Sequence, residues 1–172
     1  NQNDLPSGAV AIRGSLVQGE TLTAEALFAD PDGFDPNSIV WEWRAGGNLV
    51  PSENDALTLT QQHVGKVITL TAKYRDYFDT EESVSQSSGS AVANVNDVAT
   101  GAPWLAVSRT TDWGAPLEGA TLTVSTADLV DADGIDLASL TYTWLRDGLN
   151  VVRANGSSLV LGQMDVGSVM QL

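Results

Sequence analysis

The chain has 172 residues, 42% of them hydrophobic, which is enough for one large domain or two small ones with real cores. Eight Lys and Arg stand against 22 Asp and Glu, and the formal charge of −14 opposes phosphate backbones and anionic lipid, so it argues against nucleic-acid binding and membrane insertion. Cysteine is absent, which removes disulfides, thiolate chemistry and Cys-based zinc sites.

The N-terminus "NQNDLPSG" lacks a charged segment followed by an apolar one, and no apolar run reaches the roughly 18 residues that span a bilayer. A secretion signal is expected outside this sequence, because so acidic a surface suits a salt- or calcium-rich exterior. Downstream, "TLTAEALF", "SIVWEWR", "ALTLT", "KVITLTAKY" and "ESVSQSSGSAVANV" are short, rich in Val, Thr, Leu and aromatics, and alternate with period two between Gly, Asp, Asn and Pro clusters. All five are expected as strands of an antiparallel sandwich, with no helical stripe anywhere. Trp43 is expected on the face opposite Glu42, in the core, with Trp144 as its equivalent; Trp41 is expected on the face opposite Trp43.

The same order of parts then returns. "NDLPSG" from Asn3 recurs as "NDVATG" from Asn96, and "GETLT" from Gly19 as "GATLT" from Gly119. "LFADPDGFDPNSIVWEWRAGG" from Leu27 answers to "LVDADGIDLASLTYTWLRDG" from Leu129, and "ALTLTQQHVGKVITL" from Ala56 to "SLVLGQMDVGSVMQL" from Ser158. A period of about a hundred residues makes each copy a small domain, not a solenoid unit. The expected organisation is all-β, two tandem immunoglobulin-like Greek-key sandwiches at 1–97 and 98–172. Leu172 is the counterpart of Leu70, so the second sandwich is expected to lack about its last two strands, the sequence being a fragment or the gap being filled by a strand from another molecule.

In this order, and present twice, the G-x-T-L-T strand, D-x-D-G loop, W-x-W or Y-x-W strand, DG or GG turn, L-T-x-x-x-V-G-K segment and V-N-D junction resemble the bacterial immunoglobulin-like repeats of large secreted adhesins, including the repeat-in-toxin and biofilm-associated types. The resemblance implies a spacer that extends an adhesin from the cell surface, packed against neighbouring repeats and stiffened by calcium. The glycine-rich nonapeptide calcium repeat of toxin C-termini does not occur here.

The acidic loops have two readings. In such a sandwich the loop after the second strand, the last hairpin and the domain's N-terminus share one end. That would gather Asp4, Asp30, Asp32, Asp35, Asp76, Asp79 and Glu81 in copy one, and Asn96, Asp97, Asp131, Asp133 and Asp136 in copy two. Calcium, which takes six to eight oxygens, suits such a set, and an ion at Asn96, Asp97, Asp131 and Asp133 would lock the joint between domains. Equally, Asp-Pro-Asp-Gly and Asp-Ala-Asp-Gly are good turn formers. They are not EF-hands, since the twelfth positions from Asp30 and Asp131 are Trp41 and Tyr142.

Catalysis finds little support, and the chain is expected not to be an enzyme. The one histidine, His63, is replaced by Asp165 in copy two and reads as a turn residue. A rival function rests on tryptophan: Trp41, Trp104 and Trp113, if exposed, would stack on a glycan or anchor a host or biofilm protein. The plainer reading packs Trp104 at the domain junction and has Trp113 plugging the sandwich end. Asn155-Gly156-Ser157 matches a glycosylation acceptor pattern but carries no argument.

Overall fold

The computed structural model describes residues 2–151, 154 and 156–172, so Asn155 of the acceptor pattern lies outside the described residues. The described backbone is built of small antiparallel sheets with four short 3-10 turns and no α-helix. It divides into two compact units, Asn1–Asn96 and Asp97–Leu172.

Unit 1 contains β1 (Ser7–Arg13), β2 (Thr21–Ala29), β3 (Val40–Ala45), β4 (Asn48–Leu49), β5 (Ala56–Thr58), β6 (Val67–Arg75) and β7 (Glu81–Ala91). One sheet has the order β1-β2-β5 and the other β4-β3-β6-β7. Both contribute to one buried cluster: Val10, Leu22 and Leu57 from the first, Trp43, Ala45, Ile68, Leu70 and Ala72 from the second. The reason is visible in β6, where Ile68, Leu70, Ala72 and Tyr74 are buried at alternate positions while Lys73 and Arg75 are exposed. Removing such a side chain from water stabilises the fold by about 2 kcal/mol for a leucine.

The same period corrects the expectation for Trp41. Residues two apart share a face, so Trp41 lies on the side of Trp43 and packs, half-buried, against the same cluster. Its ring is partly exposed rather than free on the opposite face.

Unit 2 contains β8 (Trp104–Val107), β9 (Thr121–Ser125), β10 (Leu145–Arg146), β11 (Leu149–Asn150), β12 (Ser158–Val160) and β13 (Met170–Gln171). Its sheets run β12-β9-β8 and β11-β10-β13. Ala120, Leu122, Trp144, Val151, Leu159 and Leu161 form its core.

Each tryptophan is anchored alike. Trp43 Nε1 donates to the Asn54 carbonyl at 3.3 Å and Trp144 Nε1 to the Gly156 carbonyl at 2.9 Å. The Val50 amide donates to the Trp43 carbonyl at 3.0 Å, and the Val151 amide to that of Trp144 at 2.8 Å. The two-residue turns beside them have positive φ throughout, at 56° and 85° for Gly46-Gly47 and 50° and 80° for Asp147-Gly148, the hairpin geometry whose twist matches the strands it joins.

Candidate functional site: the acidic loops

In both units the acidic loop folds on itself and then holds the segment that enters the unit. Asp30 Oδ1 accepts the Asp32 amide at 2.9 Å, and Asp131 Oδ1 accepts the Asp133 amide at 2.8 Å. Gly33 and Gly134 close the turns at φ 72° and 90°, a conformation that side chains disfavour. Folded this way, each loop turns its second aspartate toward the incoming chain: Asp32 Oδ2 accepts the Asp4 amide, and Asp133 Oδ2 the Asp97 amide, both at 2.8 Å. Asp35 and Asp136 lie outside this clamp. They cap the following 3-10 turns, accepting the amides of Asn37 at 2.9 Å and Ala138 at 3.0 Å.

Unit 1 adds a second layer. Phe28, Phe34 and Tyr74 stack with ring centroids 4.4 to 5.3 Å apart, and the Tyr74 hydroxyl donates to Asp30 Oδ2 at 2.7 Å. Burial first, then that hydrogen bond and the charges of Asp30, Glu82 and Asp76, hold the Tyr74 hydroxyl far above its ordinary pKa. It is a fixed donor at any working pH. The turn after β6 joins the group through the Tyr77 amide, which donates to the Gly33 carbonyl at 3.0 Å, and Asn3 reaches Glu82 at 2.7 Å.

Asp76 sits at the centre of that turn, 6% exposed, with Oδ1 accepting the amides of Phe78 at 2.9 Å and Thr80 at 2.7 Å. Its Oδ2 is buried and has no hydrogen-bond partner among the described residues. Asp79 points elsewhere, paired with Arg75 at 3.1 Å, and Glu81 also binds Arg75. Asn96 is the last residue of unit 1 and Asp97 the first of unit 2. Among the described residues, no three acidic or histidine side chains form a group arranged to share a metal ion.

His63 and Asp165 prove to be one position with one task. Both are buried in a 3-10 turn, and each accepts the amide three residues back: His63 Nδ1 from Thr60 at 2.9 Å, Asp165 Oδ2 from Gly162 at 2.8 Å. Asp165 also meets Arg146 at 3.3 Å. Burial, with Lys66 nearby, lowers the His63 pKa. An acceptor at that spacing from the turn's first residue was the readable signal.

Trp113 overturns the reading of it as a plug. It is 95% exposed, on a turn whose Thr111 amide donates to the Ala115 carbonyl at 2.8 Å. Trp104 is half-exposed on β8.

No protein-family model matches this chain, and no curated protein sequence does.

Proposed function

We propose that this chain is a structural spacer, two immunoglobulin-like sandwiches in tandem that extend a bacterial surface adhesin outside the cell. The observation that supports this most is the repeated clamp, one aspartate carboxylate gripping the backbone amide of the entering chain at 2.8 Å in both units. A spacer needs each repeat to fix the direction in which the chain enters it. Within unit 1 the Val95 amide is held by Gln18 Oε1 at 3.1 Å, and within unit 2 the Asp97 amide is held by Asp133. One residue, Asn96, separates the two tethered amides. The test is a distance distribution between spin labels placed on each unit, measured on the whole chain and on Asp133→Ala. A narrow distribution that broadens in the variant, with both units still folded, supports the spacer; a distribution equally broad in both rejects it.

A stiffening calcium ion is the second reading, and Asp76 favours it. A carboxylate oxygen buried without a partner is costly, and a hard cation would satisfy it. Asp30, Asp32, Asp131 and Asp133 also accept backbone amides, as Asp76 does through its Oδ1. Calorimetric titration with calcium, on the chain and on Asp76→Asn, decides the matter: saturable heat lost in the variant supports the ion, and no heat removes it.

A further inference from the structure

The segment of unit 1 just beyond β7 is held from two sides. On one side Ala93 pairs in parallel with Val17; its amide donates to the Leu16 carbonyl at 2.8 Å and its carbonyl accepts the Gln18 amide at 2.9 Å. On the other, Val92 is 3% exposed and pairs in parallel with Val64; the Gly65 amide donates to the Val92 carbonyl at 2.9 Å and the Val92 amide to that of Lys66 at 3.0 Å. Different structures support the two grips. Leu16 to Gln18 run into β2, which is laddered to β1. Gly65 and Lys66 end the short turn that His63 ties together.

That turn depends on one lone pair. His63 Nδ1 accepts the Thr60 amide at 2.9 Å, the His63 amide donates to the Thr60 carbonyl at 2.9 Å, and the Lys66 amide donates to the His63 carbonyl at 3.1 Å. With Nδ1 accepting, the neutral ring carries its proton on Nε2. A further proton can go only to Nδ1, which then becomes a donor facing the Thr60 amide. The Thr60 hydroxyl, 3.3 Å from Nδ1, can accept from the protonated ring, but the amide is left without its acceptor. The surroundings do not welcome the charge. The cavity beside His63 is lined by Pro51, Thr58, Thr60, Gln61 and Gln62, all uncharged; among the described residues no carboxylate pairs with the ring, and the charge that acts on it is the repelling one of Lys66. At 7% exposure, the ring can hydrate a positive charge only if the turn opens. Unit 2 builds the same turn on a carboxylate: Asp165 Oδ2 accepts the Gly162 amide at 2.8 Å, and the Asp165 carbonyl accepts the Ser168 amide at 3.1 Å.

We propose that His63 is a proton-operated latch: the neutral ring holds the turn that grips Val92, and the protonated ring lets that turn go while Ala93 stays bound to Leu16 and Gln18. Acid thus loosens one side of the segment that follows β7 and leaves the sheets of unit 1 in place. Burial keeps the ring neutral in the closed turn, so the opened turn binds the proton more tightly, and opening is favoured as pH falls below about 6.5. The bistable element is the turn, and the change that biases it is one charge. The proposal stands apart from the spacer reading and does not depend on any ion.

The test is an NMR pH titration of the whole chain from pH 7 downward, with the His63 ring signals reporting its protonation and backbone nitrogen relaxation reporting order. As the ring titrates, the order parameters of the Gly65, Lys66 and Val92 amides should fall from about 0.85 to below about 0.6, while those of Gln18 and Ala93 stay near the rigid value. His63→Asp, which places unit 2's acceptor in the turn, should keep all five amides rigid over the same range; His63→Gln replaces it if the aspartate variant fails to fold. A ring that titrates with Gly65 and Val92 unchanged would overturn the proposal. So would an equal loss of order at Gln18 and Ala93, or unfolding before the ring titrates, since either means that unit 1 opens as a whole. The same loosening in the His63 variant would assign it to another group and overturn the proposal too.

Discussion

Unit 1 and unit 2 share their turns and differ in their core packing. The clamp, the turn caps, the tryptophan anchors and the hairpin recur with nearly equal distances, although the strands of unit 2 are shorter. The core does not recur: among the described residues ten buried side chains form it in unit 1 and six in unit 2. Where Phe28, Phe34 and Tyr74 stack in unit 1, unit 2 has Leu129 and Ile135, and a cavity of about 300 Å³ opens against Leu129, Tyr142 and Leu172. The difference teaches that the loop and turn hydrogen bonds, including clamps that reach 28 and 36 residues along the chain, are kept where the core packing is not.

The largest expected effect breaks the comparison at its centre. Trp43→Ala and Trp144→Ala each remove a fully buried ring, a loss of about 3–5 kcal/mol. Among the described residues, nine other buried residues share the core cluster with Trp43 and five with Trp144. Denaturant unfolding followed by fluorescence should show unit 1 surviving its substitution with a lower midpoint and unit 2 losing its transition entirely. Equal midpoint shifts in the two variants would mean that the unit with the smaller core is as cooperative as the other.

The next effect separates the units by pH. Folding lowers the His63 pKa, so the unfolded state binds the proton more tightly. The stability that neutral His63 contributes is therefore present above about pH 6.5 and is lost as pH falls toward the folded value. Geometry agrees, because a protonated ring has no lone pair for the Thr60 amide. Unit 1 alone should lose about 1 kcal/mol, roughly the value of a turn cap, between pH 7 and 5, and His63→Asp should abolish that dependence. A profile unchanged by His63→Asp would show that the imidazole is not the group responsible.

Much of this was legible in the sequence, for a physical reason. Period-two alternation identified β2, β3, β5, β6 and β7, and the repeated D-x-D-G motif located the two loops, because both signals are local. β1 was not named as a strand; "SGAVAIR" has little alternation and forms by pairing along β2 from Ser7 opposite Ala29 to Arg13 opposite Thr23. Twelve side chains were expected around the two loops, and several of them have partners elsewhere. Asp35 and Asp136 turned to cap their own turns and Asp79 to Arg75, choices made by neighbours two to four residues away. Tyr74 went unnoticed, though its place on the inward phase of β6 put its hydroxyl near the loop.

Loss of a clamp should cost less than the pH effect on a buried ring, and equally in both units. Asp32→Ala and Asp133→Ala each remove an exposed side-chain-to-backbone bond, worth about 0.5–1 kcal/mol. Hydrogen exchange should report it directly, through faster exchange of the Asp4 amide in the first variant and of the Asp97 amide in the second. A change at one amide only would show that the two loops, alike in geometry, differ in what they hold.

The smallest effect on stability belongs to the residue with the most exposed ring, and its smallness is informative. Trp113 lies on a turn that unit 1 lacks, between Gly101 and Thr121, a stretch longer than its counterpart from Gly8 to Thr21. Thr111 Oγ1 orders that turn by accepting the amides of Trp113 at 3.3 Å and Ala115 at 3.1 Å, so the ring is presented on a firm support while burying almost nothing. Trp113→Ser should therefore leave the midpoint of unit 2 within about 0.5 kcal/mol of the parent. A larger loss would mean that the indole covers apolar surface in solution, and the plug reading would return. With stability unchanged, titration of soluble glycans against the indole fluorescence becomes the discriminating measurement: a saturable change lost in Trp113→Ser would make unit 2 a binding module, and no saturable change would leave the ring without that role.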